Sequence, residues 1–176
     1  MKLHLGCFDR KIYGYVNVDI REDVNPDIVD DVFKLEKFEK ESVDLIYACH
    51  VLEHANYNEA EHALKRWWDI LKEGGILRVA VPDMEAHFAH YYYHKDLRLL
   101  HSTFWGSQKH SYDFHKNGWD FMKLKEDLEN VGFSDIKRYD WRKTDHWYVD
   151  DYSQSYYPHM DKETGKLMSL NVEATK

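Results

Sequence analysis

Short apolar runs, most of them closed by a glycine, an aspartate or a proline, recur along the first half of the chain. Residues 2–6, 15–19, 26–31, 43–48 and 76–81 have this form and predict five strands. Between the fourth and fifth, Ala60, Ala63, Leu64, Trp67, Trp68 and Leu71 recur near the 3.6-residue period, which predicts a helix from Asn56 to Leu71 stopped by Gly74-Gly75. The third strand follows the second so closely that there is hardly room for the crossover helix that parallel strands normally need. Past Pro82-Asp83 the pattern predicts an irregular helical stretch over 84–101, a Gly/Ser/His loop over 105–118, and a helix from Phe121 to Val131 ended by Gly132. Asp135–Tyr139 and Lys166–Thr175 predict two last strands, separated by a long connection over 140–165 of mixed polarity. A connection of that length is functional or disordered. The alternation predicts a single α/β domain over 1–176: a mostly parallel, doubly wound, Rossmann-like sheet with helices on both faces, an insert at about 84–118 and a long loop at about 140–165.

Gly6 closes the first strand and Asp19 closes the second. A glycine there lets a ligand approach the backbone, and an acidic side chain at the tip of the second strand can accept from both hydroxyls of a ribose. The two lie closer than the ~20 residues of a dinucleotide fingerprint, and G-x-G-x-x-G is absent. The pair points to an adenosine-like ligand and away from NAD.

Charge and composition narrow the partners. A net charge of −8 argues against nucleic acid, whose binding rests on neutralised phosphates. No run of about 18 apolar residues predicts a membrane span, and no leader is visible, so the expected location is cytoplasmic. Two cysteines, Cys7 and Cys49, form no disulfide framework and fit that compartment. Aromatic residues reach 15%, with 13 Tyr, 6 Trp and 12 His in the chain, and they crowd the second half. They suit a packed core and a ring-lined pocket for a sugar equally well.

The order of motifs resembles a class I S-adenosylmethionine-dependent methyltransferase, of the short type found beside glycan-assembly genes. The blocks are Leu3-His4-Leu5-Gly6-Cys7, Tyr15-Val16-Asn17-Val18-Asp19-Ile20, Asp27-Ile28-Val29-Asp30-Asp31-Val32, Ser42 to His54 ending in Val-Leu-Glu-His, and Leu71-Lys72-Glu73-Gly74-Gly75 running on to Asp83. Phe114-His115-Lys116, Val131-Gly132-Phe133 and Ser169-Leu170-Asn171-Val172 fit the same group. The resemblance implies S-adenosyl-L-methionine as cofactor and S-adenosyl-L-homocysteine as product. It implies that Gly6, Cys7 and Phe8 turn under the methionine part, that Asp19 holds the ribose with Ile20 beside the adenine, that Asp31 and Val32 edge the adenine, and that Cys49 and His50 border the sulfonium. The chain departs from the group in two ways. Phe8 stands where a glycine is usual, and the chain opens on the first strand, a minimal version without the N-terminal helix.

An amine acceptor needs only alignment, whereas a hydroxyl must also lose its proton, usually to a histidine or carboxylate. The His-rich loop from Trp105 to Lys116 is where such folds cover the acceptor; His115 is the first candidate base and His110 the second. No Asp/His/Glu group has metal-ligand spacing along the chain, so no metal is expected. The leading expectation is O-methylation of a sugar hydroxyl in glycan or polysaccharide biosynthesis, on a small-molecule or glycan acceptor. A small-amine N-methyltransferase and a non-catalytic cofactor-binding protein are the alternatives, and pairing as a homodimer is left open.

Overall fold

The computed structural model describes residues 1–98 and 100–176. Among the described residues the strands are β1 Lys2–Leu5, β2 Val16–Asp19, β3 Ile28–Val29, β4 Val43–Cys49, β5 Leu71–Pro82, β6 Ser134–Arg138, β7 Tyr156–Tyr157, β8 Lys166–Leu167 and β9 Ser169–Thr175. The α-helices among them are α1 Tyr57–Ile70, α2 Met84–His94, α3 His101–Trp105 and α4 Phe121–Val131. Seven strands make one sheet in the order β3-β2-β1-β4-β5-β9-β6, and β7 and β8 pair as a separate small hairpin. Strands β1 to β5 run parallel, and β9 lies antiparallel between β5 and β6. This is the expected mostly parallel α/β sheet with an antiparallel C-terminal strand. Among the described residues no helix is long and apolar enough to cross a membrane.

One face of the sheet is packed by helices. Asn56 caps α1 by accepting from the Glu59 amide while the Glu59 carboxylate accepts from the Asn56 amide, a reciprocal pair that fixes where the helix starts. Ala60, Ala63, Leu64, Trp67 and Ile70 form its buried stripe, and the Trp67 indole donates to the Val32 carbonyl at 2.8 Å. Asp120 caps α4, Gly132 at φ 115° ends it, and Leu124 and Leu128 face inward. These residues meet Leu3, Leu5, Val18, Ile46, Ala48, Leu77, Val79 and Val172 of the sheet in one core.

The opposite face differs from expectation. The links β1–β2 and β2–β3 carry no α-helix, only a 3₁₀ turn at Glu22–Val24. The chain from Tyr139 to Ser155 covers that face instead. Its Val149 packs with Ile12, Tyr15, Leu45 and Tyr47. Tyr47 donates to Asp151 at 2.7 Å, and its ring lies 4.0 Å from that of His146. The Asn171 amide donates to the Ser153 carbonyl at 2.8 Å. These bonds to core strands hold the long connection in place, so it is ordered structure rather than a free loop.

Three boundaries shift. Helix α1 ends at Ile70, before Gly74-Gly75, because Leu71 already pairs with Val43; the next pair joins Leu45 to Ile76, so residues 72–75 bulge and Gly74 takes φ 73°. The 84–101 stretch divides into α2 and α3. The last predicted strand breaks at Met168, whose amide donates to the Ser155 carbonyl, giving β8 to the hairpin and β9 to the sheet.

Candidate active site

The carboxyl ends of β1, β2 and β4 open onto a cavity of about 400 Å3. This is where ligands bind in open α/β sheets. From the sequence-predicted set, Gly6, Phe8, Asp19, Ile20, Asp31, Val32, His50 and His110 line it. Cys7, Cys49 and His115 do not. A wider depression of about 520 Å3 runs along α4 past Lys123 and Glu126, which pair with one another on the surface.

Gly6 is required twice over. It holds φ 65°, and a Cβ there would stand 2.3 Å from Val51 Cγ2. Its role is therefore to let the turn pack on Val51 as much as to admit a ligand. Phe8 holds φ 46° without being glycine, a strained position. Its amide donates to Asp19 Oδ2 at 2.8 Å, and the Arg21 amide donates to Oδ1 at 2.9 Å. The Asp19 carboxylate thus ties the β1 turn to the end of β2, and each oxygen keeps a second lone pair for a ribose hydroxyl. Asp31 does two jobs: its Oδ1 accepts from the Phe33 amide at 3.0 Å, capping the turn that follows, and it lines the cavity.

Burial pushes the Cys7 thiol up to about 12 and the Cys49 thiol well above its usual range, with nearby carboxylates adding to both. Both are free and protonated, packed behind the wall rather than presented to a ligand.

Sequence reasoning missed Arg21, Phe33, Val51, His54, Tyr112 and Tyr152 in the lining. Tyr152 arrives from the covering segment, with its ring 5.4 Å from His50 and the Arg10 guanidinium 5.5 Å from its centre. The arrival of an aromatic from the 140–165 connection was the one available signal. Arg21 stands over the Phe8 ring at 5.2 Å and places Nη1 3.4 Å from His110 Nε2, joining the β2 end to the insert.

His115 stands one layer back. Its Nδ1 meets the Thr103 carbonyl at 2.6 Å, its Nε2 lies 4.0 Å from Glu53 Oε1, and its ring packs edge-on to His54 with centres 4.9 Å apart. Burial lowers its pKa, with the Glu53 charge opposing. Glu53 is fully buried, and neither carboxylate oxygen has a hydrogen-bond partner. Burial pushes Glu53 up while the imidazoles of His50, His54 and His115 pull it down; the net direction is down. One donor atom from each of Glu53, His54 and His115 lies within 4.8 Å of the other two. Sequence spacing concealed this group, because His115 is delivered by the insert and not by the motif that holds Glu53-His54.

Residues 13–79 match the family model for a methyltransferase domain. Among solved structures, a SAM-dependent methyltransferase from Thermotoga maritima superposes with TM-score 0.64 at 16% identity, covering 99% of this chain and 81% of that one. One from Methanosarcina mazei gives 0.63 at 16% identity, covering 99% and 91%. One from Archaeoglobus fulgidus gives 0.61 at 15%, covering 99% and 85%. This is the fold of class I S-adenosylmethionine-dependent methyltransferases. No curated protein matches the chain. A methyltransferase-domain match seated on this fold indicates S-adenosylmethionine as the cofactor and supports methyl transfer as the class of reaction. The residues fit that group: a glycine turn packed on Val51 borders the cavity, and a carboxylate with spare acceptor capacity closes β2. The match stops within β5 and does not reach the insert or the 140–165 segment.

Proposed function

We propose that this chain methylates a hydroxyl of a sugar or sugar-like acceptor in glycan assembly. One observation carries the reading. Gly6, Asp19, Ile20, Asp31 and Val32 share a single cavity with His50, His54, His110, Tyr112 and Tyr152. Cofactor and acceptor then meet in one space, as an in-line displacement requires. S-adenosylmethionine, when bound, supplies the methyl group on a sulfonium. The chain's own residues orient and deprotonate. Asp19 fixes the ribose. Tyr112, Phe114 and Tyr152 present rings with apolar bodies, two of them with hydroxyl tips, which suits a polyol.

His110 is the base in this reading. It lines the cavity, whereas His115, the first choice from sequence, is turned toward Glu53 behind it. A guanidinium can only donate, so the contact from Arg21 fixes Nε2 as the lone-pair nitrogen, and that contact must open for Nε2 to take the proton of the acceptor hydroxyl.

The test is calorimetry with S-adenosylhomocysteine, followed by transfer of labelled methyl from S-adenosylmethionine to a panel of sugars and a panel of small amines. Binding with turnover on sugars is expected. Turnover confined to amines would replace the hydroxyl reading, and binding with no turnover on either panel would favour a non-catalytic cofactor-binding protein.

A further inference from the structure

Glu53 is hard to explain as a structural residue. It is 0% exposed, yet neither oxygen of its side chain accepts a hydrogen bond. An ionised carboxylate without partners in the interior is costly, and such groups are normally paired or ligate a cation. The nearest group is His50, whose Nδ1 lies 3.3 Å from Oε1 outside hydrogen-bond geometry. His115 meets the Thr103 carbonyl through Nδ1, which places the proton there and leaves a lone pair on Nε2, the atom 4.0 Å from Glu53 Oε1. His54 meets the Phe114 carbonyl through Nδ1 at 3.2 Å, which fixes its tautomer in the same way. The Glu53 carboxylate thus faces a lone pair on His115, and a ring nitrogen of His54 lies within 4.8 Å of both.

We propose that Glu53, His54 and His115 bind a divalent transition-metal cation of the zinc type. The donor set is two imidazole nitrogens and one carboxylate, which suits zinc or its neighbours in the first row and not magnesium or calcium, whose sites are built from oxygen. In a tetrahedral site with metal–ligand bonds of about 2.0–2.2 Å the donor atoms stand about 3.3–3.6 Å apart. The donor atoms here lie within 4.8 Å of one another, so closure around an ion draws them together by up to about 1.5 Å. Backbone carbonyls already hold both rings, Thr103 at Nδ1 of His115 and Phe114 at Nδ1 of His54, the arrangement that orients metal-bound histidines through Nε2.

Three protein ligands leave a fourth position open, as in reactive rather than structural sites. His54 belongs to the cavity wall, so the ion would border the acceptor space. It would also fasten the insert to the core. Glu53 and His54 come from the turn after β4, and His115 comes from the insert, whose Lys116 and Asn117 amides already donate to the Glu53 carbonyl.

The experiment is titration of chelator-treated full-length chain with Zn2+ by calorimetry and with Co2+ by visible absorption. One equivalent of tight zinc, with a low-coordinate cobalt spectrum, is expected. Glu53→Gln and His115→Gln should each weaken Zn2+ binding by more than the ~10–100-fold that loss of an outer partner costs. His110→Ala should leave it unchanged. Binding of S-adenosylhomocysteine to the same samples reports that each variant is folded and tests the cofactor separately. Absence of a stoichiometric zinc site in chain that still binds S-adenosylhomocysteine overturns the proposal. So does equal zinc affinity in wild type and both ligand variants.

Discussion

A Cβ on Gly6 would stand 2.3 Å from Cγ2 of Val51. The turn after β1 and the second residue past β4 are therefore packed against each other with no spare volume. Gly6→Ala should cost ~1–2 kcal/mol for the left-handed backbone and a further ~1–3 kcal/mol for overpacking. Val51→Ala should remove the second part and leave the first, so Gly6→Ala should cost ~1–3 kcal/mol less in that background. Urea denaturation of the four proteins in the cycle measures it. Equal costs in both backgrounds would mean that the Val51 methyl is not what demands glycine.

Asp19 spends one lone pair of each oxygen on the turn and keeps the others for ligand. Asp19→Ala should weaken S-adenosylhomocysteine by about 10–150-fold, matching the ~1.5–3 kcal/mol of hydrogen bonds to a charged group. It should also loosen the Phe8 turn, seen as faster amide exchange at Phe8 and Arg21. Calorimetry decides the first point, and unchanged affinity would remove Asp19 from the ribose.

The part of the cavity built by strand ends was legible because it depends on local pattern. A glycine and an aspartate at strand ends are visible in a linear sequence, and strand order then places them together. The part of the cavity built by the insert and the 140–165 segment was not legible, because its groups meet through long-range packing. His115 looked like a pocket base from its loop composition, but Glu53, sixty-two positions earlier (115 − 53), draws its Nε2 inward. Tyr152 reaches the cavity only because Asp151 and Ser153 on either side are bonded to Tyr47 and Asn171 of the sheet. The second sheet face was misjudged for the same reason. Nothing periodic in residues 140–155 announces that a chain held by side-chain hydrogen bonds will replace helices there.

His110 faces the cavity from the insert, its Nε2 held by Arg21. With a hydroxyl acceptor, His110→Ala should lower turnover by ~10²–10⁴-fold, the usual contribution of a general base. Cofactor affinity should stay within about twofold. Added imidazole should restore part of the rate to the variant and none to wild type, which separates lost chemistry from lost packing. Full turnover in His110→Ala would return His110 to the status of a wall residue.

His4 makes the fold acid-sensitive. It lies in the middle of β1, 3% exposed, stacked on Tyr47 with ring centres 5.4 Å apart, and its Nδ1 meets Asn17 Oδ1 at 3.1 Å. Burial lowers its pKa from 6.5 to about 4, with the Asn17 hydrogen bond opposing. The unfolded chain binds this proton more readily than the folded one, so the stabilisation is complete above pH 6.5 and is lost as pH falls toward 4. The gap corresponds to about 3 kcal/mol. Burial also lowers His87 and His146, which add to the loss in the same direction. The carboxylate of Asp44, held down to about 2 by Lys72 and the amino terminus, acts only below its ordinary value of 3.8 and stays outside this window. Urea midpoints from pH 8 to pH 4 should therefore fall for wild type. In His4→Gln, which cannot charge, they should fall by about 3 kcal/mol less over the same range. Parallel curves for the two proteins would show that His4 keeps its ordinary affinity for the proton inside the sheet.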